Sequence, residues 1–75
     1  MKFRVNEIFR LNIDIPEHSL QKGTIGTVLQ DIESIPQGYP VEFVDKEGYT
    51  IAEIYLLEEY MDIIDASEKE PPPFP

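Results

Sequence analysis

A chain of 75 residues suffices for one small domain, which removes only about 60% of its surface from water on folding. This length excludes a large enzyme scaffold. Cysteine is missing from the sequence, which excludes a disulfide framework and a thiolate site. Neither a secretory signal nor an apolar run of about 18 residues is found, so we expect a cytoplasmic protein without a membrane segment.

Charge is the most unusual property of the composition. Six Lys and Arg residues stand against fifteen Asp and Glu, which gives a formal net charge of −9. Residues 1–30 carry four basic and three acidic side chains, whereas residues 31–75 carry two basic and twelve acidic ones. The acidic excess argues against a protein that must neutralise nucleic-acid phosphates. It favours a basic partner that meets the second half of the chain.

The first half of the chain predicts two strands. Alternating apolar and polar residues indicate a strand around Ile8–Ile13, which Pro16 ends because proline cannot donate to a ladder. Gly23 and Gly26 stand beside a β-branched run, and glycine in a strand marks a bulge, a sharp bend or a close approach to the backbone. We therefore predict a second, strongly bent strand over Ile25–Gln30.

The second half predicts a hairpin tip and two further strands. Residues 31–39 are rich in turn formers, Val41–Asp45 predicts the third strand, and Thr50–Leu56 predicts the fourth. Asp45–Gly48 between them matches a type I turn. On the fourth strand Ala52, Ile54 and Leu56 are predicted to point inward, and Ile51, Glu53 and Tyr55 outward. The register depends on whether Gly48 lies in a bulge, which the sequence leaves open.

The end of the chain predicts one helical turn over Leu57–Met61 and a short closing strand over Met61–Ile64, with a helix over Ile51–Ile64 as the alternative. These elements predict a mainly β domain over residues 1–65: a small SH3-like five-stranded barrel with a short helical turn before the last strand. An open antiparallel sheet with one helix is the alternative. Residues 66–75 predict a disordered, acidic and proline-rich tail.

Motifs for catalysis, metal or cofactor binding are missing or incomplete. His18 is the sole histidine and has only one acidic neighbour, and no segment matches a calcium loop. Glu58 and Asp62 would pair on a helix, but acid–base work also needs a pocket that raises one pKa. The Gly23 and Gly26 spacing lacks the other residues of a phosphate or dinucleotide loop. We therefore predict no enzyme, no metal site and no cofactor.

Tyrosines and carboxylates together suggest a binding surface. Tyr39, Tyr49, Tyr55 and Tyr60 are predicted to face outward among acidic residues, which suits an interface with a basic protein, although scattered surface tyrosines are an equal alternative. The partner-binding candidates are Glu42, Glu53, Tyr55, Glu58, Glu59, Tyr60 and Asp62.

Three stretches together resemble a known family. They are Asp14–Glu17 with Leu20, then Lys22–Val28, then Val41–Asp45 followed by Gly48, Thr50 and Ala52. Over about residues 6–64 the chain resembles domain of unknown function 4926, a family of small bacterial proteins. The resemblance implies an SH3-like β-barrel, no catalytic residues to carry over, and a role as an antitoxin or immunity partner of a neighbouring toxin.

These observations predict a non-enzymatic protein-interaction module that masks a basic protein surface, such as that of a toxin. The sequence leaves two alternatives open. The first is a structural or assembly subunit that pairs through an exposed strand edge, including a homo-oligomer. The second is an RNA-binding barrel, because the Gly-x-Ile-Gly-x-Val pattern at Gly23 is similar to the KOW element of SH3-like domains.

Overall fold

The computed structural model describes residues 3–64, and alternating apolar residues build this part of the chain into a five-stranded antiparallel sheet. The strands are β1 (Ile8–Leu11), β2 (Ile25–Val28), β3 (Tyr39–Val44), β4 (Thr50–Leu56) and β5 (Met61–Ile63). Two 3-10 helices, Pro16–His18 and Glu58–Tyr60, are the helical segments of the described residues. The mainly β fold and the helical turn before the last strand are confirmed. The tail over residues 66–75 and the domain end at residue 65 lie outside the described residues.

The strands follow the spatial order β4-β3-β2-β1-β5, and each neighbouring pair is antiparallel. Strands β4 and β5 therefore form the two ends of the sheet, and no strand ladder joins them within residues 3–64. The sheet is not closed by hydrogen bonds. The alternative of a helix over Ile51–Ile64 is wrong, because that stretch divides into β4, a 3-10 helix and β5.

One face of the sheet carries the hydrophobic core. The largest fully buried side chains are Tyr39, Phe3, Phe9, Phe43, Leu11, Val28 and Val41. Within residues 3–64 no polar or charged residue other than the phenol of Tyr39 belongs to this buried set, so apolar burial is the main contribution to the core. The inward positions predicted for β4 are buried at Ala52 and Leu56 and half-buried at Ile54, while Ile51, Glu53 and Tyr55 are exposed as predicted.

Gly26 is buried in β2 where two aromatic rings come close to the backbone. A Cβ atom at this position would lie 2.5 Å from Cζ of Phe9 and 2.8 Å from Cε1 of Phe43. The two rings form an edge-to-face pair with centroids 5.6 Å apart. The glycine is therefore needed for a close approach, which is one of the roles predicted from the sequence.

The β3–β4 hairpin has a closed turn and one irregularity. The Gly48 N–H donates to the carbonyl of Asp45 at 2.9 Å, which confirms a four-residue turn with Asp first and Gly last. Phe43 pairs with Ala52, but Val44 pairs with Thr50, so Ile51 is the extra residue of a bulge. The bulge therefore lies in β4 and leaves Gly48 in the turn, where its φ is +90°.

Five strand boundaries differ from the sequence prediction, two of them by one residue: β3 ends at Val44 instead of residue 45, and β5 ends at Ile63 instead of residue 64. Strand β1 ends at Leu11 instead of residue 13, and β2 ends at Val28 instead of residue 30. Strand β3 begins two residues early, at Tyr39, because Tyr39 already pairs with Leu56. The N–H of Asn12 donates to the carbonyl of Tyr60 at 3.0 Å, which continues the pairing of β1 with β5 by one residue beyond Leu11.

Candidate functional site

The seven partner-binding candidates fall into two groups. Glu42 on β3 and Glu53 and Tyr55 on β4 lie together at one end of the sheet, and we call these three residues the β4-edge surface. The closing segment comprises Glu58, Glu59 and Tyr60 of the second 3-10 helix and Asp62 of β5. Strand β5 is the opposite end of the sheet in hydrogen-bonding order. The seven residues therefore do not all lie on neighbouring strands of the sheet.

Glu42 and Glu53 are direct cross-strand partners on the outward face. The carbonyl of Pro40 accepts the N–H of Leu29 at 2.9 Å, so the backbone of Pro40, and that of Glu42 two residues later, faces β2. Glu42 and Glu53 consequently form a non-hydrogen-bonded pair, the type in which facing side chains are closest. Two carboxylates directly opposite each other repel, which makes this pair unfavourable for the fold by itself.

One polar contact partly satisfies the pair. The hydroxyl of Thr50 donates to Oε2 of Glu42 at 2.9 Å, which fixes that side chain along the outward face. Glu53 is exposed and stands at the outer edge of the sheet, beyond Glu42. The carboxylate nearer the open edge is therefore the one more accessible to a partner.

Tyr55 lies beside the acidic pair on the same face of β4. Its side chain is 55% exposed, and its cross-strand partner is Pro40. A shallow depression of about 190 Å³ lies here, lined by Leu29, Gln30, Pro40, Glu53, Ile54 and Tyr55. This volume is below the roughly 300 Å³ at which small-molecule pockets begin, so the depression suits one side chain of a partner.

The closing segment is more involved in holding the fold together. The side-chain amide of Asn12 donates to Oδ1 of Asp62 at 2.9 Å and to the carbonyl of Glu59 at 3.0 Å. Tyr60 is half-buried and packs against the core, and Glu58 is half-buried as well. Sequence reasoning missed Asn12, since its partners are about fifty residues away and no local pattern links them.

The four tyrosines predicted to face outward do not share one environment. Tyr49 and Tyr55 are exposed, and Tyr60 is half-buried. The prediction for Tyr39 is wrong, because its ring lies in the core and its hydroxyl accepts the N–H of Phe3 at 3.1 Å. The signal that finds it is the alternation of residues 39, 41 and 43, which extends the strand to Tyr39.

A larger, open hollow of about 700 Å³ lies on the loop between β1 and β2. It is lined by Asp14, Pro16, Ser19, Leu20, Gln21 and Lys22. The carboxylate of Asp14 accepts the backbone N–H of Lys22 at 2.7 Å, so this acid serves the loop's own geometry. His18 is exposed nearby, as predicted for a surface histidine.

Within residues 3–64, no group of three histidine or carboxylate side chains is arranged to hold a metal ion. No helix in the same residues has the length and apolar composition required to cross a bilayer.

Comparison with known proteins gives one match. Searches of the curated proteins and of the solved structures return no match. The sequence model of the family described as Domain of unknown function (DUF4926) matches residues 5–63, which is most of the chain and agrees with the resemblance in the three stretches quoted above. The chain belongs to the DUF4926 family.

Proposed function

We propose that this protein is a non-enzymatic interaction module whose acidic half docks on a basic surface of a protein partner. The observation that carries the proposal is the close Glu42–Glu53 pair on an exposed face, next to the exposed ring of Tyr55. A cationic group placed beside two facing carboxylates relieves their repulsion, so binding recovers free energy that the isolated fold loses.

The charge distribution supports the same function at longer range. Residues 31–75 hold twelve of the fifteen acidic residues, and a dense negative field speeds encounter with a positive partner while repelling nucleic acid. A basic toxin that acts on nucleic acid would be such a positive partner. This protein would then be its antitoxin or immunity protein in the bacterial cytoplasm. An RNA-binding role is disfavoured by the same field.

We also propose that the sheet curls into an SH3-like barrel. The support is the strand order, in which β1 lies between β2 and β5, and the 3-10 helix that joins β4 to β5. Gly26 adds to it, because glycine inside a strand is typical of a tight bend at a barrel corner, and here two rings pack where its side chain would lie. Nuclear Overhauser contacts between side chains of β4 and β5 test this; their complete lack would leave an open sheet.

An assembly role through a strand edge is the second candidate, and the exposed β4 end of the sheet favours it. In that case a second copy of the chain covers β4. Sedimentation at several protein concentrations distinguishes the two candidates, since a monomer up to high concentration disfavours self-pairing.

Co-purification with charge-reversed variants tests the main proposal. The chain is used to retain proteins from its own host at low salt, beside the double variant Glu53→Lys with Glu58→Lys. The control is Glu17→Lys, an exposed acid on the first 3-10 helix, far in sequence from the proposed surface. We expect a basic protein to be retained by the parent and the control, lost by the double variant, and released as salt rises. Equal retention by all three proteins at low and high salt would discard the acidic interface.

A further inference from the structure

In the described part of the chain, no strand pairs with the outer edge of β4. The backbone N–H and C=O of Glu42 face β2, so Glu42 and its partner Glu53 share no backbone hydrogen bond. Glu53, and Tyr55 two residues later, therefore direct their N–H and C=O groups away from β3. Among the backbone hydrogen bonds outside the strand ladders in residues 3–64, none involves Glu53 or Tyr55. These two residues therefore offer two donors and two acceptors along an open sheet edge.

The other end of the sheet offers less. Strand β5 has three residues, whereas β4 has seven. The bulge at Ile51 interrupts the start of β4, so the regular part of the edge extends from Ala52 to Leu56. This length suits a short added strand and disfavours long, continuous stacking of sheets.

Side chains at this edge define what an added strand should carry. An added residue that bonds to Glu53 or Tyr55 projects its own side chain on the same outward face. Opposite Glu53 a cation meets a carboxylate, and opposite Tyr55 it meets an exposed aromatic ring above the depression that Pro40 helps to line. A second copy of this chain fits poorly, because its own β4 would bring another Glu53 to this acidic edge.

We propose that the partner binds as an extended segment that adds a strand to β4, with arginine or lysine at two alternate positions facing Glu53 and Tyr55. This inference rests on the proposed function and narrows the basic partner to a strand with a basic-x-basic pattern. Backbone hydrogen bonds provide affinity and the alternating cations provide selectivity.

The test uses the full chain labelled with ¹⁵N and three synthetic peptides of about nine residues. The first alternates arginine with threonine; the second carries the same residues with all arginines contiguous; the third is the first with its arginine amides N-methylated. Amide exchange is measured at Glu53 and Tyr55 and at Ala52 and Ile54, and affinity by calorimetry. In the free chain we expect fast exchange at Glu53 and Tyr55. We expect slow exchange at Ala52 and Ile54, whose backbone groups bond to β3.

The alternating peptide is expected to slow exchange at Glu53 and Tyr55 by at least about tenfold. N-methylation and contiguous arginines should each weaken binding by about tenfold or more, because the first removes edge hydrogen bonds and the second breaks the alternation. Glu53→Lys should weaken binding of the alternating peptide by about tenfold, and Glu17→Lys by much less.

Three results would overturn the inference. Equal binding of the alternating and N-methylated peptides, without slower exchange at Glu53 and Tyr55, would retain acidic docking but remove the added strand. Failure of all three peptides to bind would refute the basic-x-basic ligand. The proposed function would still be tested separately, by the co-purification experiment. Slow exchange at Glu53 and Tyr55 in the free chain that depends on protein concentration would place a second copy at the edge.

Discussion

Replacing Tyr39 by phenylalanine isolates one buried hydrogen bond. The hydroxyl of Tyr39 accepts the backbone N–H of Phe3 at 3.1 Å, and both residues are at most 1% exposed. Tyr39→Phe keeps the ring and its edge-to-face contact with Phe3, whose centroid is 5.6 Å away, but removes the acceptor. Since water does not reach the site, the N–H of Phe3 is left unpaired, which costs about 1–3 kcal/mol.

The size of the domain makes this loss measurable. A change of 1 kcal/mol shifts Tm by roughly 4–8 °C in a domain of this length, so we expect Tm to fall by at least about 4 °C. Urea and thermal unfolding followed by circular dichroism measure the change, and amide exchange at Phe3 should accelerate at the same time. Tyr55→Phe is the matched control, because the ring of Tyr55 is exposed. The free energy of unfolding of this variant should stay within about 0.5 kcal/mol of that of the parent. Equal stability of Tyr39→Phe and the parent, with unchanged exchange at Phe3, would refute the reasoning.

Three further substitutions probe the backbone. Gly26→Ala should lower the free energy of unfolding by about 1–3 kcal/mol through overpacking, and Phe43→Leu in the same chain should recover part of it; simple additivity in a double-mutant cycle would contradict the close approach. Gly38→Ala should prevent stable folding, because its Cβ would overlap the carbonyl of Leu56 and its φ is +102°; a normal melting curve would refute this. Asp45→Ala should cost about 1 kcal/mol in urea unfolding, since its carboxylate accepts two backbone N–H groups of the turn; no change would show that the turn holds without it.

Local patterns in the sequence were sufficient for most of the strands. Alternation along Thr50–Leu56 predicts β4 with its correct bounds and faces, because a two-residue period and one buried face specify each other. Asp45 and Gly48 predict the turn, since each residue suits its position by its own chemistry. The positions where local chemistry is decisive are therefore those that the sequence predicts well.

Features that depend on distant residues were not accessible to this reasoning. The bulge at Ile51 arises from the pairing of two strands, and the hydrogen bond of the Tyr39 hydroxyl needs Phe3, 36 residues earlier. The candidate surface divides for the same reason. Acidic side chains are evident in the sequence, but the Glu42–Glu53 pairing needs the register, and the contact of Asp62 with Asn12 joins opposite ends of the described chain.

The facing pair of Glu42 and Glu53 places selection for stability in conflict with selection for partner binding. A cationic replacement of either acid turns repulsion into attraction across the two strands, so it should make the unbound molecule more heat resistant. A mutant library screened only for survival at high temperature should therefore lose one of these two acids, and a screen for partner capture should keep both.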